Sequence, residues 1–133
     1  MRASPFLQFD GNCNEAFAFY GTCFGSAPGM TITYGQSPMA DQVPEHHRSR
    51  VMYTELNIGQ TVIMGSDVMG PFHPAAGFHI TVRVDSIEEA ERLFAVLSGG
   101  GVIDMPMQET FWAPRFGTLT DRFGQPWMVN YQG

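Results

Sequence analysis

Apolar and polar residues alternate along this chain with two periods, one helical and one extended. Ala16, Phe19, Tyr20, Cys23 and Phe24 recur at helical spacing, as do Ile87, Ala90, Leu93, Phe94 and Leu97. Asn12 and Ser86 stand before these segments, with Glu15 and Glu89 three positions on, the spacing of a capping box. Gly25 and Gly99 follow as helix stops. Tyr20 matches Phe94, and every pair shares one offset in the numbering, so the chain reads as one unit written twice.

Strand patterns complete the unit. One strand precedes each helix, Phe6–Phe9 in the first half and His79–Val84 in the second. Three follow each helix: Met30–Tyr34, Val51–Ile58 and Thr61–Met64, then Val102–Met107, Gly117–Thr120 and Pro126–Tyr131. Gly59-Gln60 is a two-residue hairpin turn, and Arg122-Phe123-Gly124-Gln125 carries the same Gly-Gln pair. The polar stretch 35–50 reads as a long loop, and 71–77 as a turn-rich linker. The expected fold class is α+β: two β-α-β-β-β modules, about 1–70 and 77–133, pairing into a cupped mixed sheet with the helices outside, as a single domain.

Period-two alternation assigns the faces. Phe78, Ile80, Val82 and Val84 point to a helix, and His79, Thr81 and Arg83 point away. Met52, Thr54, Leu56 and Ile58 share the apolar face of their strand, leaving Tyr53, Glu55 and Asn57 on the other. A concave surface bearing His79, Arg83, Tyr53 and Glu55 is the expected result.

Charge narrows the partners. With 7 Lys plus Arg against 13 Asp plus Glu, the net charge is −6. No basic stripe is present, so neither nucleic acid nor an anionic membrane surface is expected to bind. No signal-like leader is read at the start, and no apolar run of about 18 residues could span a bilayer. Cys13 and Cys23 on one helix would lie roughly 15 Å apart, too far for a disulfide, so free thiols and a cytoplasmic location are expected. Cys23 falls on the buried stripe, where a catalytic thiolate is not expected. His46, His47 and His73 fall in loops and read as solvated.

Four stretches carry a family resemblance: 9–20 with Phe9-Asp10-Gly11-Asn12-Cys13, Glu15-Ala16 and Phe19-Tyr20; Met39-Ala40-Asp41; Gly65-Ser66-Asp67; and Gln108–Ala113 continuing to 120–128, which ends Gln125-Pro126-Trp127-Met128. In these the chain resembles the vicinal oxygen chelate superfamily, which includes glyoxalase I and bleomycin-resistance proteins. Within it, the chain is similar to the PhnB-like branch, described as 3-demethylubiquinone methyltransferase-like. The glycine cluster 99–101 follows a helix, not a first strand, and reads as a helix stop, so methyl transfer from S-adenosylmethionine is not implied by it.

The resemblance implies a divalent metal held by four ligands, usually His and Glu, from strands one, four, five and eight. Those positions fall here near Pro5, at Ile63 or Met64, at His79 and near Met128. One imidazole among them is too few, and thioethers suit hard ions poorly, so no metal and no cofactor are expected. Glu55, Tyr53 and Asp67 are the remaining unconventional donors. What is left is an apolar cup with a few polar groups, the description of a small-molecule site. Its wall candidates are Met64, Phe111, Trp112, Trp127 and Met128; each aromatic has plain core packing as its alternative. His79 stands out as a base or hydrogen-bond partner, with Arg83 available to an anionic ligand. The expected function is a metal-free binding protein for a small apolar or partly polar molecule; the alternatives are a metal-dependent glyoxalase- or dioxygenase-type enzyme and a non-catalytic interaction module. The resemblance also implies a homodimer.

Overall fold

The computed structural model describes all 133 residues, which divide into two compact units, Met1–His73 and Pro74–Gly133. The division falls inside the stretch expected to be a linker.

The first unit runs β1 (Phe6–Phe9), α1 (Cys13–Phe24), β2 (Thr31–Thr33), β3 (Val51–Ile58) and β4 (Thr61–Asp67). Its sheet has the order β1-β4-β3-β2, with β1 parallel to β4 and the other pairs antiparallel. The second unit runs β5 (Ile80–Arg83), α2 (Ile87–Leu97), β6 (Val102–Gln108), β7 (Arg115–Thr120) and β8 (Pro126–Tyr131). Its order β5-β8-β7-β6, again with one parallel pair, repeats the first topology. The repeat read from the numbering offset is therefore a repeat of structure, and the class is α+β.

Helix α1 buries Cys13, Ala16, Phe17, Tyr20, Gly21 and Cys23. The apolar stripe is thus rotated from the expected one: Phe17 joins it, and Phe19 and Phe24 stay half-buried. Phe17 meets Phe9 and Tyr20 edge-on, at centroid distances of 6.0 and 5.7 Å. It reaches the sheet because β4 offers a glycine: a Cβ on Gly65 would lie 2.6 Å from Phe17 Cε1. The second unit repeats the device, with Gly117 on β7 set against Phe94 of α2. Ala90, Leu93, Phe94 and Leu97 are buried as expected, while Ile87 at the helix start stays exposed.

The two helix starts differ. Ser86 Oγ accepts the Glu89 N–H at 3.1 Å, the first half of the expected capping box. Asn12 makes no side-chain cap. There a carboxylate from β4 substitutes: Asp67 Oδ1 accepts the N–H groups of Gly11 and Cys13 at 2.8 and 3.0 Å. Helix α1 ends at Gly25, in the left-handed conformation. After α2 the left-handed glycine is Gly100, one residue beyond the expected stop.

The segment expected as one loop holds three short 3-10 turns, Tyr34–Gln36, Ala40–Gln42 and Glu45–His47. Backbone bonds from Tyr34 to Arg50 and from Gly35 to Arg48 tie its ends, and buried Val43 anchors its middle. Several strands also shift in extent. β2 and β5 are shorter than expected, β4 and β6 run on to Asp67 and Gln108, and β7 starts at Arg115. No helix is long and apolar enough to cross a membrane.

Candidate functional site

In each unit one sheet face packs on the helix and the other carries none. The chemistry of interest lies on the helix-free faces.

In the first unit, Leu7, Phe9, Ile63, Leu56 and Thr54 are buried on the helix side. The opposite face is built row by row from the register. Phe6 lies beside Met64, and Met64 beside Glu55. The next row holds Gln8, Ser66 and Tyr53, with Ile32 beyond. Tyr53 and Glu55, two apart on β3, share this face, and the Tyr53 hydroxyl donates to Glu55 Oε2 at 2.7 Å. That bond, then partial burial and the carboxylate's charge, raise the Tyr53 pKa above the ordinary phenol value. The Phe6 ring stands 6.4 Å from that of Tyr53. The alternation expected for β3 holds from Thr54 onward but breaks before it. The pairing of Ile32 with Tyr53 and of Thr33 with Val51 skips Met52 as a bulge, so Val51 is buried and Met52 only half-buried.

In the second unit the helix side of the sheet carries Trp127, Val129 and Leu119, all fully buried. Trp127 is thus a correction: expected as a candidate for the cup wall, it belongs to the core beneath α2. Its indole N–H donates to Asp121 Oδ2 at 2.8 Å, and Asp121 Oδ1 also accepts the N–H groups of Phe123 and Gln125. Its strand neighbour Met128 points the other way and is half-buried, beside Thr81. His79, Thr81 and Arg83 are exposed while Ile80, Val82 and Val84 are less so, as the alternation predicts. Phe78, expected on the helix side, is 46% exposed and precedes the strand.

Three residues on this face were missed by sequence reasoning: Phe116, Thr118 and Asn130, each at least nine-tenths buried. Asn130 lies between Arg83 on β5 and Phe116 on β7. A polar Asn in mid-strand, a residue type depleted there, was the available signal. The β6–β7 loop supplies an aromatic chain, with Phe111 edge-on to Trp112 at 4.8 Å and Trp112 edge-on to Phe116 at 5.2 Å. Trp112 is half-exposed, and Phe111, at 97%, projects from the surface. A shallow cavity of about 380 Å³ is lined by Glu109, Thr110, Phe111, Trp112, Ala113 and Pro114. Both cysteines are buried and outside any disulfide. Burial, then the Asp67 charge, push the Cys13 thiol far above the ordinary range, which removes it as a nucleophile.

The sequence matches the 3-demethylubiquinone-9 3-methyltransferase family over residues 1–130. It is 36% identical to Protein YjdN of Escherichia coli K12, over 98% of this chain and 95% of YjdN. The chain belongs to this family. Among solved structures, protein PA1353 from Pseudomonas aeruginosa is 40% identical, with TM-score 0.91, covering 99% of this chain and 98% of that one. A PhnB protein from Bacillus cereus, described as a 3-demethylubiquinone-9 3-methyltransferase, shares the fold at 24% identity and TM-score 0.78, over 98% and 99% of the two chains. The fold extends, at 17% identity and TM-score 0.66, to a glyoxalase/bleomycin resistance protein/dioxygenase family enzyme from Burkholderia phytofirmans, over 98% and 100% of the chains.

The residues of this chain do not fit the divalent metal that the resemblance implies. Of the two strand-four choices, Ile63 lies in the core and Met64 on the helix-free face, where its N–H donates to the Pro5 carbonyl at 3.0 Å. The four positions thus offer proline, two thioethers and one imidazole, and no three His, Cys, Asp or Glu side chains gather in the chain. A catalytic site needs about three hard protein donors. The turn after β1, Asp10-Gly11-Asn12, has a single glycine, and its N–H is already bonded to Asp67.

Proposed function

We propose that this PhnB-like chain is a metal-independent binding protein for a small, partly apolar molecule. One observation carries the reading: the helix-free sheet faces interleave a few polar groups with flexible apolar ones. Tyr53 and Glu55 sit among Phe6, Met64 and Ile32, and Asn130, Thr81 and Arg83 sit among Met128 and Phe116. Methionines suit loosely shaped apolar ligands. His79, exposed just before β5, and the Phe111–Trp112 groove are the further contact candidates. Two buried thiols outside any disulfide fit a reducing, cytoplasmic compartment. A homodimer is the proposed assembly; β6, an edge strand with Val102, Ile103 and Met105 exposed, is the surface that favours it.

The test is a thermal-shift and NMR screen of chelator-stripped protein against small aromatic and aliphatic probes, with a parallel series of Mn²⁺, Fe²⁺, Ni²⁺ and Zn²⁺. Saturable probe binding, weakened in Tyr53→Phe or Glu55→Gln and unaffected by metal, is the expected result. A site at 100 times its dissociation constant adds about 2.7 kcal/mol, a shift of several degrees. A shift with one metal that His79→Ala abolishes would instead favour a metal-dependent enzyme. No response to any probe would overturn the binding reading.

A further inference from the structure

Strand β8 reads Pro-Trp-Met-Val-Asn-Tyr, and its alternation sends Trp127 and Val129 under α2 and Met128 and Asn130 to the other face. Asn130 is only 7% exposed, and its Oδ1 is buried without a hydrogen-bond partner. Folded proteins leave few such atoms, because an unmet buried acceptor lowers stability. Two neighbours on the same face point to a use. Arg83 is the direct register partner of Asn130 on β5, about 4.8 Å away across the parallel pair. It is exposed and makes no ion pair, unlike Arg50, Arg92 and Arg115. On the other side Phe116 is the register partner on β7, with Trp112 edge-on to it.

We propose that Asn130 and Arg83 form an anchoring subsite for a small organic acid that carries a hydroxyl or amino donor beside its acid group. This deepens the binding-protein reading and rests on it. The chemistry follows from the unmet amide oxygen and the unpaired guanidinium beside it. An amide oxygen takes an O–H or N–H donor, and a guanidinium takes an anionic oxygen, in its best geometry through two parallel bonds. Standing on adjacent strands and on one face, they suit a ligand that carries its donor close to its acid group, as an α-hydroxy or α-amino acid does. Phe116 and Trp112 then take its apolar or aromatic arm. An acceptor held unmet in the free protein is a stability cost of the kind binding sites retain.

The experiment is isothermal calorimetry with phenyllactate and phenylalanine, against 3-phenylpropionate, which lacks the donor, and phenyllactate methyl ester, which lacks the charge. At least one donor-bearing acid is expected to bind tenfold or more tighter than both controls. Asn130→Leu should abolish the preference over phenylpropionate, and Arg83→Gln the preference over the ester. Asn130→Leu should also melt at or above the parent temperature, since it removes an unmet acceptor; Asn130→Ala repeats the comparison with a smaller side chain. Equal binding of acids and controls by the parent protein would overturn the subsite. So would Asn130 variants that melt several degrees lower yet keep the preference, which would make Asn130 structural. If neither acid binds while other small probes still bind with Tyr53→Phe sensitivity, the subsite falls and the binding function stands. If no probe binds at all, both fall.

Discussion

Replacing Asp67 with alanine removes, in one step, the carboxylate that holds three backbone segments of the first unit together. The side chain is 1% exposed at the end of β4. Its Oδ1 accepts from Gly11 and Cys13, and its Oδ2 from the Val51 N–H at 2.9 Å, so it joins the start of α1 to the start of β3. A buried donor left without an acceptor costs about 1–3 kcal/mol, and bonds to a charged acceptor lie toward the upper end. Cys13 and Val51 are buried and cannot turn to water, whereas Gly11 is exposed. Two full penalties and one small one give about 3–5 kcal/mol. At roughly 3–5 °C per kcal/mol for a chain of this length, Asp67→Ala should melt about 10–20 °C below the parent. Asp67→Asn keeps one acceptor oxygen but turns an NH₂ toward an N–H, and should lose about half as much. Calorimetry and urea unfolding followed by far-UV circular dichroism measure this. Both tryptophans lie in the second unit, so their fluorescence reports whether that unit unfolds in the same transition. A melting point for Asp67→Ala within about 3 °C of the parent would refute the clamp.

The remaining predictions concern packing, titration and reactivity. Gly65→Ala places a methyl 2.6 Å from Phe17 Cε1 and should cost about 1–3 kcal/mol by overpacking, read as a lower urea midpoint with an unchanged slope. Trp127→Phe loses the indole bond to buried Asp121 and should destabilise by about 1–3 kcal/mol, with loss of the buried, blue-shifted component of the emission. The Tyr53 phenol should ionise above the ordinary value of about 10, and Glu55→Gln should bring it back toward that value in an ultraviolet titration. Because the folded pKa is raised, any stability it contributes is complete below the ordinary value and is lost as pH rises through the raised one. Cys13 and Cys23 should react with a thiol reagent only at the rate of unfolding, and Asp67→Asn, which weakens the clamp on Cys13 and Val51, should speed the reaction by speeding unfolding.

The repeat, both helices, every strand and the two Gly-Gln turns were legible in the sequence, because helical and extended periodicity, caps and turn residues act within a few positions of one another. So was part of the helix-free faces: Tyr53 and Glu55 fall there by alternation alone, as Arg83 does in the second unit, while Met64 and Met128 were candidates through the family resemblance. What the sequence could not supply depends on segments far apart in the chain. Helix α1 is capped by a carboxylate 54 residues away, so Asn12, the correct N-cap by spacing, has no capping role for its side chain. One skipped residue in the β2–β3 register exchanges Val51 for Met52 in the core. Trp127 could read as wall or core until its strand was paired, since an indole is apolar enough for either and only the pairing with Leu119 and the bond to Asp121 choose. Asn130 carries no local signal beyond its residue type; its unmet oxygen, and Arg83 beside it, exist only once β5 and β8 lie side by side in register. Short-range sterics and periodicity determine the elements, whereas faces, caps and candidate sites are decided by register, which strand pairing alone can set.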